Sequence, residues 1–358
     1  MQLNQTYNRE DFLRFIEQSF LSNFKQDVRP INTDKIQTIQ KAYSLGRDEK
    51  LDLQVFEFHS NGELNNRVTL TRDAFNIMKA SATFNGLAIF YSSNKNDWRL
   101  SLMTANPERT EVGKITMAYS NPKRYSYFLG PNAKVNTPTK FLIKKEKVID
   151  FNDLKGRFST EVVNKEFYKQ ISELFTKLVG GTISKSKIAH TPLLKLPFIQ
   201  DKSQTCLEFA VRLIGRIIFC WFLREKISQS GKSLMPQGLL SLEAVNKNED
   251  YYHSILEPIF FEILNKPLKS RNDRYITELF SSIPYLNGGL FSPQNDDYFS
   301  YKEDQAINHN IVIVPDQWFK DFFEILETYN FTIDENISFD EELSIDPEML
   351  GRIFENLL

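Results

Sequence analysis

The chain has 358 residues, 41% apolar and 25% charged, with a formal net charge of −2, a balance that excludes a disordered or collagen-like polymer and leaves room for two or three packed domains. Its only two cysteines, Cys206 and Cys220, exclude a disulfide framework and read as buried free thiols of a reducing compartment. The most apolar run, Ile217 to Leu223, is seven residues, too short to cross a bilayer, and the N-terminus has no signal-peptide core, so a cytoplasmic location with no membrane partner is expected.

Residues 9–24 have helical apolar spacing at Phe12, Phe15, Ile16 and Phe20, with Asn8 as cap and Asp11 three residues on. Thr33 to Tyr43 predicts a second short helix. Strands are expected at 51–59 and 66–70, followed by a helix from Thr71 to about Ala82. Leu87 to Tyr91 reads as a buried strand and Trp98 to Met103 as an alternating one. Two more, at 114–119 and 124–129, are separated by a turn at Asn121-Pro122. Residues 1–150 therefore form an α/β domain.

After residue 150 the pattern turns helical. Phe158 to Val179 is stopped by Gly180-Gly181, and Thr205 to Ile227, Tyr251 to Leu264 and Gln317 to Tyr329 are further helices. Glu208 and Arg212 stand at i,i+4, and Arg212 and Arg216 leave a polar stripe on the longest of them. Residues 151–358 form a mainly helical second domain. Charge divides along the same line: residues 1–150 carry 22 Lys and Arg against 16 Asp and Glu, and the remainder is net acidic. A polyanion partner is favoured for the first part only.

The stretch with most chemistry is Asp52-Leu-Gln-Val-Phe-Glu57-Phe-His59. As a strand it places Asp52 on one face, and Glu57 with His59 on the other. Phosphodiester hydrolysis needs charge neutralised on the phosphate and a water made nucleophilic, and Mg²⁺ held on carboxylates does both. Asp52 and Glu57 are the candidate metal ligands, with Glu17 from the first helix as a third and Asp48 and Glu49 as rival acids. His59 stands where a lysine is expected. The competing reading is a solvated strand edge. Arg67, Arg72, Arg99, Lys123, Arg124 and Lys134, interleaved with Trp98, Tyr125 and Tyr127, are candidates for contact with a DNA backbone. Gly180 to Ser186 lacks the second glycine of a phosphate loop and reads as a helix stop. His190, His253 and His309 show no metal-ligand spacing. No Gly-rich cofactor loop and no Asn-Pro-Pro-Tyr sequence occurs, so no methyltransferase site is encoded.

Several segments in order resemble the region that precedes the methyltransferase domain in type IIG restriction–modification enzymes, which fuse endonuclease and adenine-specific DNA methyltransferase. They are Asp52 to His59, Arg67 to Arg72, Trp98 to Ser101, Pro122 to Gly130, Glu161 to Tyr168, Phe209 to Arg216, Pro284 to Phe291 and Asp346 to Glu355. The resemblance implies a restriction-nuclease-like domain of PD-(D/E)xK type over 1–150, in which Asp52 and Glu57 match the acids and His59 departs from the lysine. It implies a helical connector over 151–358, double-stranded DNA as partner, and Mg²⁺ in the nuclease domain. A methyltransferase domain, with S-adenosylmethionine, would follow in a longer polypeptide. Two functions are expected from this: Mg²⁺-dependent DNA cleavage, or a degenerate module that binds DNA or positions the methyltransferase.

Overall fold

A computed structural model describes residues 1–34, 36–62, 64, 67–109, 115–182, 189–196, 203–226, 233–286, 288–294, 297, 312–331, 340–345, 347–348, 351 and 355. In chain order these contain α1 (Arg9–Phe15), β1 (Phe24–Ile31), β2 (Ile39–Asp48), β3 (Leu53–Ser60), α2 (Arg67–Ala80), β4 (Asn85–Ser92), β5 (Lys95–Arg109) and β6 (Ile115–Leu129). Then come α3 (Asn136–Pro138), α4 (Phe151–Arg157), α5 (Thr160–Val179), the two-residue strands β7 (Gly181–Thr182) and β8 (Ala189–His190), and α6 (Ser203–Glu225). The last are α7 (Leu242–Lys247), α8 (Glu278–Ser281), α9 (Asp316–Leu326) and β9 (Asp340–Glu342).

The chain divides into two units. The first comprises Met1–Asn164, Thr328–Asn330 and Asp334–Ile345. It is mixed α/β, built on a seven-stranded sheet of order β1-β2-β3-β4-β5-β6-β9. The β3–β4 and β6–β9 pairs are parallel and the others antiparallel. Helix α2 makes the crossover that the parallel β3–β4 pair requires. It buries Leu70, Ala74, Ile77 and Met78 against Phe56 and Phe58 of β3 and Phe90 of β4. On the other face, cross-strand register aligns Tyr43, Glu57, Ile89, Leu100 and Tyr127. With both faces covered, β3 and β4 read as near-continuous apolar runs. Asn8 caps α1 as expected, its side chain accepting from the Asp11 N–H at 3.1 Å. The helix then widens into a π-turn, Ile16–Phe20.

Four local expectations are corrected. The helix expected over 33–43 gives way to strand: Ile39 opens β2, because pairing with β3 overrides local helical spacing. Residues 67–70 open α2 rather than forming a strand. Residues 115–119 and 124–129 belong to one strand, β6, whose register shifts between Thr104 and Asn106 of β5. Asn121 there is left-handed at φ 48°, so the expected turn is a β-bulge. Strand β1 had no sequence signal; it is an edge strand with most residues exposed.

The second unit, Lys165–Glu327 with Phe331–Ile333 and Asp346–Leu358, is mainly helical. Trp221 stacks on Phe323 at 5.8 Å, and Tyr251 meets Phe319 and Phe323 edge-on. The polar stripe expected on α6 is interior: Arg216 is 1% exposed and clamps Asp297 at 2.9 and 3.0 Å while donating to the Leu290 carbonyl. Arg212 reaches the same carboxylate at 3.5 Å. Cys220 is a buried thiol, pushed up by that burial, whereas Cys206, expected to be buried as well, is only half-buried. Gly180 leaves α5 at φ 84°, a left-handed helix end, so the stop reading of Gly180-Gly181 holds; residues 183–186 of that stretch lie outside the described residues. No described helix is long and apolar enough to cross a membrane.

Candidate functional site

The sequence places Asp52, Glu57 and His59 on one strand; the structure separates them. Asp52 precedes β3, in the left-handed conformation (φ 47°) that closes the β2–β3 turn. Aspartate tolerates that conformation better than most residues. Its side chain is exposed and pairs with Arg47. Asp48 shapes the same turn: it is fully buried and accepts from the Leu51 and Asn23 N–H groups, both at 3.1 Å. Glu49 pairs with Lys25 at 3.6 Å on the surface.

Glu57 lies five residues along, inside β3, and at most roughly 16 Å away at the strand rise. It is 1% exposed, and hydrogen bonds saturate its carboxylate. Tyr7 Oη donates to Oε2 at 2.6 Å, Arg9 Nε to Oε2 at 2.7 Å, Arg9 Nη2 to Oε1 at 2.6 Å, and Tyr91 Oη to Oε1 at 3.3 Å. The Arg9 guanidinium also lies 4.2 Å over the Tyr43 ring. Burial first, then Glu57, pushes the Tyr7 phenol up strongly and Tyr91 up to about 12. The hydrogen bond to Glu57 drives the Arg9 guanidinium up against the pull of burial. This cluster fixes the N-terminal segment to the sheet, aided by Trp98, whose indole N–H donates to the Gln5 carbonyl at 2.9 Å.

His59 shares the Glu57 face, between Lys41 of β2 and Tyr91 of β4. It stacks on Tyr91 at 4.9 Å and exchanges a hydrogen bond with Ser93 Oγ at 2.7 Å. Burial, then the Lys41 charge, lowers its pKa, with Glu57 pulling the other way. Glu17 is exposed on the π-turn, where its backbone carbonyl accepts from the Lys147 ammonium at 2.8 Å. The set Asp52, Glu57, Glu17 therefore does not fit Mg²⁺: the acids do not converge, and the one buried carboxylate already has its oxygens taken. Cross-strand neighbours of Glu57 are Tyr43 and Ile89, so no acid faces it from either flanking strand. Among the described residues no group of three or more His, Cys, Asp or Glu side chains is placed to hold a metal.

The basic candidates divide by burial. Arg99 is 5% exposed and donates to Glu342 at 2.7 Å. Arg124 is 1% exposed, donates to Ser101 and Thr71 at 3.0 and 2.9 Å, and lies 3.8 Å over the Phe90 ring. Both hold the sheet together and are not placed to meet phosphate. Trp98 and Tyr127 are likewise core residues. Arg72 is exposed on α2; Arg67 opens that helix, and its side chain lies outside the described residues. Lys134 is half-buried, its backbone bracketed by the Asn330 amide at 3.0 and 2.8 Å. Lys123 is half-exposed, 3.7 Å from Glu341, and lines a polar cleft with Tyr125. Sequence reasoning missed Tyr7, Arg9 and Tyr91 around Glu57, because those contacts join residues 50, 48 and 34 positions apart. It also missed Lys155, whose place in the Lys123 cleft depends on how α4 packs.

Comparisons with known proteins give one functional lead and define no family. A model described as "Domain of unknown function (DUF7814)" matches residues 186–344. The chain is 29% identical over 239 residues to a Methanocaldococcus jannaschii protein named "Putative type II restriction enzyme and methyltransferase". That alignment covers 60% of this chain and 18% of the relative, so the chain corresponds to under a fifth of it. No solved structure matches. The chain is thus distantly similar to a protein whose name joins DNA restriction to methylation.

Proposed function

We propose that the first unit is a degenerate restriction-nuclease-like module, of PD-(D/E)xK descent, within a restriction–modification protein. It engages double-stranded DNA without hydrolysing it, and serves to position a methyltransferase domain of the same polypeptide, where S-adenosylmethionine would bind. The observation that carries the reading is the saturation of Glu57 by Arg9, Tyr7 and Tyr91, with Tyr43 and Ile89 as its cross-strand neighbours. A carboxylate held this way anchors a chain segment; using it as a metal ligand requires breaking an ion pair in a buried setting. Support for the nuclease-like descent comes from the antiparallel β1–β2–β3 meander followed by α2 and a parallel β4, and from the distant relative. The positive balance of residues 1–150 supports DNA as the partner.

The test is a gel-shift and nicking assay of the purified chain on supercoiled plasmid and duplex DNA. Expected is binding that weakens steeply as salt rises, with no nicking when Mg²⁺ is added. Mg²⁺-dependent nicking that disappears in a folded Glu57→Gln variant would overturn the reading in favour of a nuclease whose site assembles on DNA. In that event Mg²⁺ would return as cofactor and Glu57 and His59 as catalytic residues.

A further inference from the structure

We propose that a second site, separate from Glu57, lies where β6 meets the α4–α5 junction, and that it takes one nucleotide unit, its phosphate on Lys123 and Lys155 and its base on Tyr125. The choice of a nucleotide over other phosphate esters rests on the DNA-associated reading. The site itself rests on a cleft of about 320 Å³ in the first unit, lined by Asn106, Asn121, Lys123, Tyr125 and Lys155 and floored by Phe158.

The β-bulge builds this cleft. Between the Thr104–Lys123 and Asn106–Ser120 pairs, one β5 residue faces two of β6. The left-handed Asn121 absorbs the mismatch. A bulge bends its strand and re-aims the flanking side chains, which is why such irregularities gather beside binding sites. Opposite, Tyr127 donates to the Arg157 carbonyl at 2.7 Å and packs on Phe158 at 5.3 Å. These contacts fix the end of α4 against the sheet and leave the cleft between them.

Its chemistry suits a nucleotide. Two ammonium groups provide charge for a phosphate. The Lys155 side chain is exposed, its ammonium 5.1 Å over the Phe151 ring. Lys123 shares its charge with Glu341, which also accepts from Thr160 Oγ1 at 3.4 Å, and Glu161 lies in the first turn of α5, so Lys155 carries the larger part of the phosphate contact. The exposed Asn121 amide can both donate and accept, matching a base edge. Tyr125 is half-buried and offers a stacking surface. The volume lies at the small end of ligand sites, on the scale of one nucleotide.

Calorimetric titration of the purified chain with dAMP, inorganic phosphate and a short DNA duplex tests this. Expected is tighter binding of dAMP than of phosphate. Lys155→Ala should weaken dAMP at least about fivefold, and Tyr125→Ala should remove roughly fivefold or more of its advantage over phosphate, while Tyr125→Phe keeps it. Circular dichroism checks that each variant is folded, and Lys155, being exposed, is the variant least exposed to that objection. No dAMP binding at millimolar concentration, dAMP no tighter than phosphate, or indifference to Lys155→Ala overturns the proposal. Duplex binding without dAMP binding sinks the cleft and leaves the DNA-associated reading intact. The reverse pattern supports the cleft for free nucleotide and sinks that reading.

Discussion

The Glu57 cluster and the Lys123 cleft lie in one unit and use similar residue types, an acid among cations and tyrosines, yet they differ in what remains available to a partner. At Glu57 two tyrosines and an arginine spend their donors on one buried carboxylate. At Lys123 a bulge opens the sheet, and charged and amide side chains line a space large enough to hold something. Charge that is buried and matched holds a fold together; charge that is exposed at an irregular edge is the kind a ligand can reach.

Several experiments would sharpen or break this contrast. The largest effect is expected for Glu57→Ala, which leaves Arg9, Tyr7 and Tyr91 without their shared acceptor and should cost about 3 kcal/mol in urea unfolding. Combining it with Arg9→Met should recover part of the loss. A Glu57→Ala protein as stable as the parent would mean the cluster is no anchor. Next is Glu342→Ala, which removes the carboxylate from the buried Arg99 and should cost about 2 kcal/mol. Asn8→Ala, which deletes the α1 cap, should cost about 1 kcal/mol by the same measurement.

The smallest effects are in pH dependence, where two histidines should act in opposite senses. His59 titrates below its ordinary value of 6.5. Its contribution to stability is therefore present above 6.5 and lost as pH falls through the lowered value. For His253, burial lowers the pKa, but hydrogen bonds to Glu257 and to the Val312 carbonyl outweigh it and raise the value above 6.5. Its contribution is present below 6.5 and lost as pH rises through the raised value. Stability profiles of His59→Gln and His253→Gln should flatten on the acid and the alkaline side respectively; the same change in both would contradict these assignments.

What was legible in the sequence follows the range of the forces involved. The Asn8 cap acts over three residues and was readable, as were the buried strands β3 and β4, whose composition declares burial on both faces. The start of strand β2 reads locally as helix because its state is set by pairing with β3. The β-branched residues Val68 and Thr69 suggested a strand where α2 begins. For the site, strand parity separates Asp52 from Glu57 only if both are extended; Asp52 instead lies in the left-handed turn before β3, where parity does not apply. The partners of Glu57 were not readable, since Tyr7, Arg9 and Tyr91 arrive from elements folded together only in three dimensions. Arg99 and Arg124 read locally as surface cations for the same reason; nothing local to Trp98-Arg99 or Lys123-Arg124 announces a distant carboxylate or a pair of hydroxyls.

Strand β9 imposes an order of events on biosynthesis. Residues 340–342 pair with Arg124, Tyr125 and Ser126, and Arg99 finds Glu342 across 243 positions of chain. At elongation speeds of ≈ 5–20 residues per second, roughly 10–40 s separate the emergence of β6 from that of its neighbour. Through that interval the nascent sheet has a bare rim, with an arginine awaiting its counter-ion. A clone cut near residue 150 would make that transient condition permanent, and should be recovered chiefly as aggregate.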